Sequence, residues 1–212
     1  MIDLSKYEKQ LQNNSVLKPD SQSTVSQLLN NEVCFILDCS GSMHLKVKEQ
    51  TMLDIMFQAF NDVYMQIPAD KTVSVVLFAD ENRRFVAPAN RSQGILKLKS
   101  FAKTVGGYTN MCAALKKGAS FNPSSIVLIT DGRPTDGIEK LFRTIHAIVQ
   151  KDISVTCIPL PLTDEEFLQK LAKTVSNFQN SQGVSPKIIR IDNQKCDAQH
   201  ISDAMLLGVG IC

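Results

Sequence analysis

Val33-Cys34-Phe35-Ile36-Leu37-Asp38-Cys39-Ser40-Gly41-Ser42 is the stretch that decides how this chain is read. The apolar run Val33–Leu37 predicts a buried strand. Asp38, Ser40 and Ser42 follow at alternate positions and put one carboxylate and two hydroxyls on the loop leaving that strand. A hard cation such as Mg2+ takes near-octahedral oxygen ligation at roughly 2.0–2.1 Å and keeps several waters. One carboxylate with a few neutral hydroxyls suits such an ion better than a cage of acids, and leaves a coordination position open.

Outward from this point strand and helix signals alternate, the pattern of parallel strands joined by helical crossovers. Met52, Ile55, Met56, Ala59, Phe60 and Val63 form the stripe of a helix with one buried face, stopping before Pro68. Val73–Phe78 is the next strand, and Arg84-Phe85-Val86 predicts a short antiparallel edge beside it. Ile95, Leu98 and Ala102 suggest a short helix, followed by the turn Gly106-Gly107-Tyr108-Thr109-Asn110 and a second helix from Met111 to Ala119. Ile126–Ile129, apolar on both faces, reads as a central parallel strand that empties into Thr130-Asp131-Gly132. A helical stripe from Ile138 to Val149, a strand at Ile153–Ile158, a strand at Ile188–Ile191 and a helix from Asp197 to Leu207 complete the series. Between them, Thr163-Asp164-Glu165-Glu166 matches a capping box that starts a helix carrying Phe167, Leu168, Leu171 and Val175 inward. The expected fold is therefore α/β: a doubly wound, mostly parallel central sheet with one short antiparallel edge strand and helices on both faces.

Size and composition narrow the function classes. Residues 1–30, polar and rich in Gln, Asn and Ser, read as an arm, and residues 31–212 as one α/β domain. A net charge of +2 is too small to suggest a nucleic-acid or membrane footprint. No apolar stretch approaches the roughly 20 residues that span a bilayer, and the N-terminus lacks the charged-then-apolar pattern of a secretory signal. A cytoplasmic location is the expectation. None of the six cysteines forms C-x-x-C, and Cys34 and Cys157 fall inside buried strands, so reduced thiols are expected; Cys39 and Cys112 lie on the loops framing the metal and read as structural.

In a doubly wound sheet, ligands gather outside the carboxyl ends of the strands where strand order reverses. Three loops carry the chemistry for that place: Asp38, Ser40 and Ser42 from the first, Thr109 from the glycine turn, and Asp131 from the end of the central strand. The ordered set D-C-S-G-S-M, G-G-Y-T-N and L-I-T-D-G resembles the von Willebrand factor A domain with its metal-ion-dependent adhesion site, over about residues 31 to 207. The resemblance implies a Rossmann-like fold, a divalent cation (Mg2+, with Mn2+ or Ca2+ as alternatives) held by Asp38, Ser40, Ser42, Thr109 and Asp131, and a protein partner whose Asp or Glu supplies the missing ligand. It also implies that Thr109 joins the ion when the partner arrives and that the last helix shifts on binding.

Other readings stand beside this one. His44, Lys46, Lys48 and Arg133 are either a basic collar steering an acidic partner or ordinary solvated loop charges. Of the three histidines, His146 and His200 belong to predicted helices and only His44 is near the site, where a lone residue reads as rim decoration rather than a general base. A metal-dependent phosphoester hydrolase using the same ion is the rival. Enzymes that form an aspartyl phosphate usually carry a second acid two residues after the first, and Ser40 holds that place. No phosphate-binding G-x-x-x-x-G-K-[ST] or G-x-G-x-x-G occurs, so nucleotide binding has no support. The expectation is a binding module, not an enzyme; a purely structural module with no metal is the third possibility.

Overall fold

The computed structural model describes residues 32–68, 71–80, the backbone of 82–86, residues 98, 100, 107–161, 163–176, 178, 180, 183–192 and 196–210. The predicted N-terminal arm lies outside these residues. So does the helix suggested by Ile95, Leu98 and Ala102, apart from Leu98 and Ser100, which are helical.

Eight strands and five α-helices with defined bounds follow in chain order among the described residues, besides a 3-10 turn at Gly41–His44. They are β1 (Val33–Asp38), β2 (Lys46–Val47), β3 (Gln50–Thr51), α1 (Met52–Gln66), β4 (Val73–Phe78), β5 (Asn82–Val86), α2 (Met111–Ala119), β6 (Ser125–Thr130), α3 (Ile138–Val149), β7 (Ser154–Pro159), α4 (Glu165–Ser176), β8 (Lys187–Ile188) and α5 (Ala198–Val209). The main sheet has the order β5-β4-β1-β6-β7-β8, with β2 and β3 forming a separate antiparallel pair. All neighbours in the main sheet are parallel except β5, which runs antiparallel to β4 at the edge as the sequence predicts.

The continuous apolar runs explain the layering, because alternate residues of each strand serve opposite faces. Phe35 and Leu37 of β1, with Val127 and Ile129 of β6, pack against Phe60, Met56 and Val63 of α1 and Ile201 and Met205 of α5. Cys34 and Ile36, with Ile126 and Leu128, pack on the other face against Leu115 of α2, Ile145 and Ile148 of α3, and Phe167 and Leu171 of α4. Helix α2 lies so close to β1 that a Cβ on Gly118 would stand 2.9 Å from Ile36 Cδ1, so this glycine sets the helix-to-sheet distance.

Two details differ from expectation. The strand predicted at Ile188–Ile191 pairs only over Lys187–Ile188, although Ile189 N still donates to Cys157 O at 3.0 Å. The next bond of a parallel ladder would require an N–H from position 159, and Pro159 has none. Ile189 and Ile191 pack against the core, with no ladder pairing beyond that one bond. The N-terminus of α4 is capped by Asp164, whose Oδ1 accepts from Phe167 N at 2.9 Å, whereas the Thr163 hydroxyl turns back to Leu160 O. An ionised acceptor makes the stronger cap, and Asp164 sits three residues before the amide it satisfies.

Candidate metal centre

The register brings three strand ends flush. Leu37 lies opposite both Leu77 of β4 and Ile129 of β6, so Asp38, Asp80, Thr130 and Asp131 all emerge at one edge. From that edge the chain after β1 leads to α1 on one face, and the chain after β6 leads to α3 on the other. Adjacent strands that part in this way leave a crevice between them, and the three candidate loops line it.

Asp38 is fully buried, and both its oxygens are engaged: Oδ1 accepts from Ser40 N at 2.8 Å and Oδ2 from the Thr130 hydroxyl. Thr130 Oγ1 also accepts from Gly132 N at 3.1 Å, so one hydroxyl fixes the first acid and shapes the loop of the second. Ser42 Oγ donates to Asp131 Oδ1 at 2.8 Å and lies 3.2 Å from Ser40 Oγ. Thr109 is buried at the same place: a Cβ built on Gly132 would stand 3.3 Å from Thr109 Oγ1 and 3.9 Å from Ser42 Oγ. Asp38, Ser40, Ser42, Thr109 and Asp131, distant along the chain, are thus brought together. Gly132 leaves open the space that a methyl group would fill.

The electrostatics of the two acids follow from burial. Desolvation is the main cause that pushes the Asp38 carboxyl up to about 6, against the lowering effect of the hydrogen bonds from Thr130 and Ser40, with the Asp131 charge raising it further. Burial also raises Asp131, offset by its bond from Ser42. Two adjoining carboxylates that resist ionisation, with hydroxyls around them, are a donor set of hard oxygen atoms suited to a dication. Among the described residues no group of three or more His, Cys, Asp or Glu converges on one point, so any ion here rests on these carboxylates and hydroxyls.

The neighbouring positions fall into two kinds. His44, Lys46 and Lys48 are exposed on the turn and hairpin that follow the first loop, with Lys48 at φ 59°. Arg133 is committed to an ion-pair cluster, bonded to Asp164 and, at 3.1 Å, to Glu166, which in turn accepts from Lys170 at 2.7 Å. The Arg133 guanidinium holds the Asp164 carboxyl below its usual range, and Lys170 followed by Arg133 does the same to Glu166. His146 lies away from the centre on α3, its ring 4.1 Å from that of Phe178, and His200 bonds Asp197 on α5. Cys39 and Cys112 are buried; burial pushes the Cys39 thiol up strongly and the Cys112 thiol up to about 11, so both are protonated thiols at neutral pH.

Sequence reading missed two residues that build the site. Thr130 was visible only as the first residue of the segment into which the central strand empties, yet it bonds Asp38 across 92 positions of chain. Asp80, just after β4, accepts from Tyr108 N at 2.8 Å, and its Oδ2 occupies the place of a side chain at Gly107, 1.9 Å from where a Cβ would be. Gly107 at φ 91° therefore lets the Thr109 loop wrap Asp80, while Gly41 N donates to Gly107 O at 3.2 Å and straps the first loop to the second. A carboxylate directly after the second strand was the available signal.

Residues 33–134, just under half of the chain, match the model of the von Willebrand factor type A domain. No curated protein matches the sequence. Solved structures share the fold at low identity. An aerotolerance-related membrane protein from Bacteroides fragilis superposes with a TM-score of 0.66 at 19% identity, over 85% of this chain and 99% of that one. A von Willebrand factor type A protein from Catenulispora acidiphila gives 0.60 at 18%, over 85% and 42% of the two chains. The manganese-loaded TRAP protein of Plasmodium vivax gives 0.58 at 15%, over 84% and 74%.

Proposed function

We propose that the von Willebrand factor type A domain supported over residues 33–134 is a divalent-metal-dependent protein-binding module, gripping an Asp or Glu of a partner through an ion at the edge of its sheet. The observation that carries this reading is the 2.8 Å bond from Ser42 to Asp131, which joins the first and third loops over the crevice and sets two carboxylates and the hydroxyls of Ser40, Ser42 and Thr109 around it. Asp38 and Asp131 would supply charge, Ser40 and Ser42 direct oxygens, and Thr109 a further hydroxyl when the partner binds. Mg2+ is the favoured ion, with Mn2+ and Ca2+ as substitutes, and the ion supplies an electrophilic position that one added carboxylate completes. That a fold relative is manganese-loaded is in keeping with this donor set. We place this work in the cytoplasm, where thiols stay reduced, in keeping with five described cysteines that are not joined in disulfides. Among the described residues no helix is long and apolar enough to cross a membrane.

The test is affinity purification with the tagged protein in Mg2+ and in EDTA, paired with Mn2+ titration of Asp38→Ala and Asp131→Ala. The expected result is a partner lost in EDTA, and metal binding lost in both variants with circular dichroism unchanged. A partner retained equally in EDTA overturns the reading. Metal-dependent turnover of generic phosphoesters that Asp38→Ala abolishes would replace it with the hydrolase.

A further inference from the structure

We infer that the partner presents its carboxylate between bulky apolar side chains, which Tyr108 and Leu45 receive; this rests on the metal-dependent reading above. Four large apolar side chains stand exposed among the described residues, and two of them belong to the loops that carry the candidate ligands. Tyr108, the most exposed at 72%, directly precedes Thr109, and Leu45, at 56%, comes three residues after Ser42. A singly exposed apolar residue is common on any surface, so their place, not their number, carries the argument.

Neither side chain hangs from a slack loop. Tyr108 N donates to Asp80, and the next carbonyl, Thr109 O, accepts from Thr135 N and from Thr135 Oγ1, both at 3.0 Å. Leu45 N donates to Ser42 O at 2.9 Å, and Leu45 O accepts from Met52 N at 3.1 Å. The bond from Gly41 N to Gly107 O ties the two loops to each other. Both apolar groups are therefore held out from fixed backbone beside the proposed ligands, so covering them removes apolar surface from water with little further loss of backbone freedom.

The third loop offers the opposite chemistry. Arg133 there is balanced by Asp164 and Glu166, so a second or third acid of the partner that reaches this loop meets two carboxylates and a guanidinium they already hold. On that side the surface thus favours a lone acid among apolar neighbours over an acidic run, and the exposed Lys46 and Lys48 after the first loop make a triple-glutamate peptide the deciding comparison.

The experiment titrates the 15N-labelled protein with three capped pentapeptides at saturating Mg2+: Gly-Gly-Glu-Gly-Gly, Gly-Leu-Glu-Leu-Gly and Gly-Glu-Glu-Glu-Gly. The leucine peptide is expected to bind about tenfold more tightly than the glycine peptide, equivalent to about 1.4 kcal/mol. The triple-glutamate peptide is expected to gain nothing. In the double variant Tyr108→Ser, Leu45→Ser the preference falls to about onefold while Mg2+ affinity is unchanged. Equal binding of the leucine and glycine peptides, a preference that survives the double variant, or tightest binding of the acidic run each overturns the inference alone. Binding of no peptide in Mg2+, or binding unchanged by EDTA, overturns the metal-dependent reading and this one with it.

Discussion

The two ends of the sheet handle polar groups in opposite ways. At the amino ends Val33 N donates to Thr72 O at 3.1 Å, Ser124 N to Glu32 O at 3.0 Å and Ser154 N to Ser124 O at 3.0 Å, while the Glu32 carboxylate accepts from the Ser74 hydroxyl. That edge is a row of backbone bonds running strand to strand. At the carboxyl ends two acids are buried side by side, one with its carboxyl pushed up to about 6, and the hydrogen bonds they receive do not offset their desolvation. A fold maintained for stability alone needs only the first kind of edge. The second costs stability, a cost that under the proposed function serves a bound cation.

Four outcomes would sharpen or break this contrast. The largest effect is expected from Asp38→Asn, which keeps the shape of the side chain and one acceptor oxygen, for Ser40 N, but removes the charge and turns an amide N–H toward Thr130. Mn2+ affinity, followed by electron paramagnetic resonance, should fall at least about 100-fold, about 2.7 kcal/mol, with no loss of stability in EDTA at pH 7.5. A variant clearly less stable than the parent in EDTA would mean that the buried charge supports the fold.

Next in size is the pH dependence. The Asp38 carboxyl is raised from 3.8 to about 6 on folding, so the folded chain binds this proton more tightly than the unfolded one. Its contribution is fully present below about pH 4 and is lost as pH rises through about 6, at most about 3 kcal/mol. Urea unfolding of the parent and Asp38→Asn, both in EDTA, should diverge in favour of the variant between pH 4.5 and 7.5. Mg2+ should stabilise the parent at pH 7.5 far more than at pH 4.5, because the ion replaces the proton.

Gly107→Ala comes third, with a stability loss of about 1–3 kcal/mol, because the added Cβ meets Asp80 Oδ2 and φ is 91°. Adding Asp80→Ala should recover the part due to collision and leave the part due to backbone conformation. Full recovery would show that the turn carries no conformational strain. The smallest effect is expected at the amino edge: Ser74→Ala should cost about 1 kcal/mol, one hydrogen bond, with Mn2+ affinity unchanged. Weakened metal binding there would show the two edges to be coupled.

The helical stripes of α1 and α3 and the apolar runs of β1, β4 and β6 are legible because burial imposes a period on them, 3.6 in one case and both faces in the other. The end of β8 was not, because it depends on whether Pro159, almost thirty residues away, has an N–H to give. The cap of α4 was read one residue early because Thr163 and Asp164 both suit the role. Their surroundings chose between them, with Leu160 O taking the threonine hydroxyl and Arg133 adding to the asparate's partners.

Local composition by itself determined the alternation of strands and helices, the antiparallel edge strand and the identity of the oxygen-bearing side chains after β1 and β6, since each depends on residues close together in the chain. Only the tertiary structure decided that Thr130 holds Asp38, that Ser42 reaches Asp131, that Asp80 fills the space Gly107 leaves, and that Arg133 is paired rather than free. These are contacts between side chains tens of residues apart. Sheet register and the direction of each crossover bring them within reach, and no local pattern encodes either.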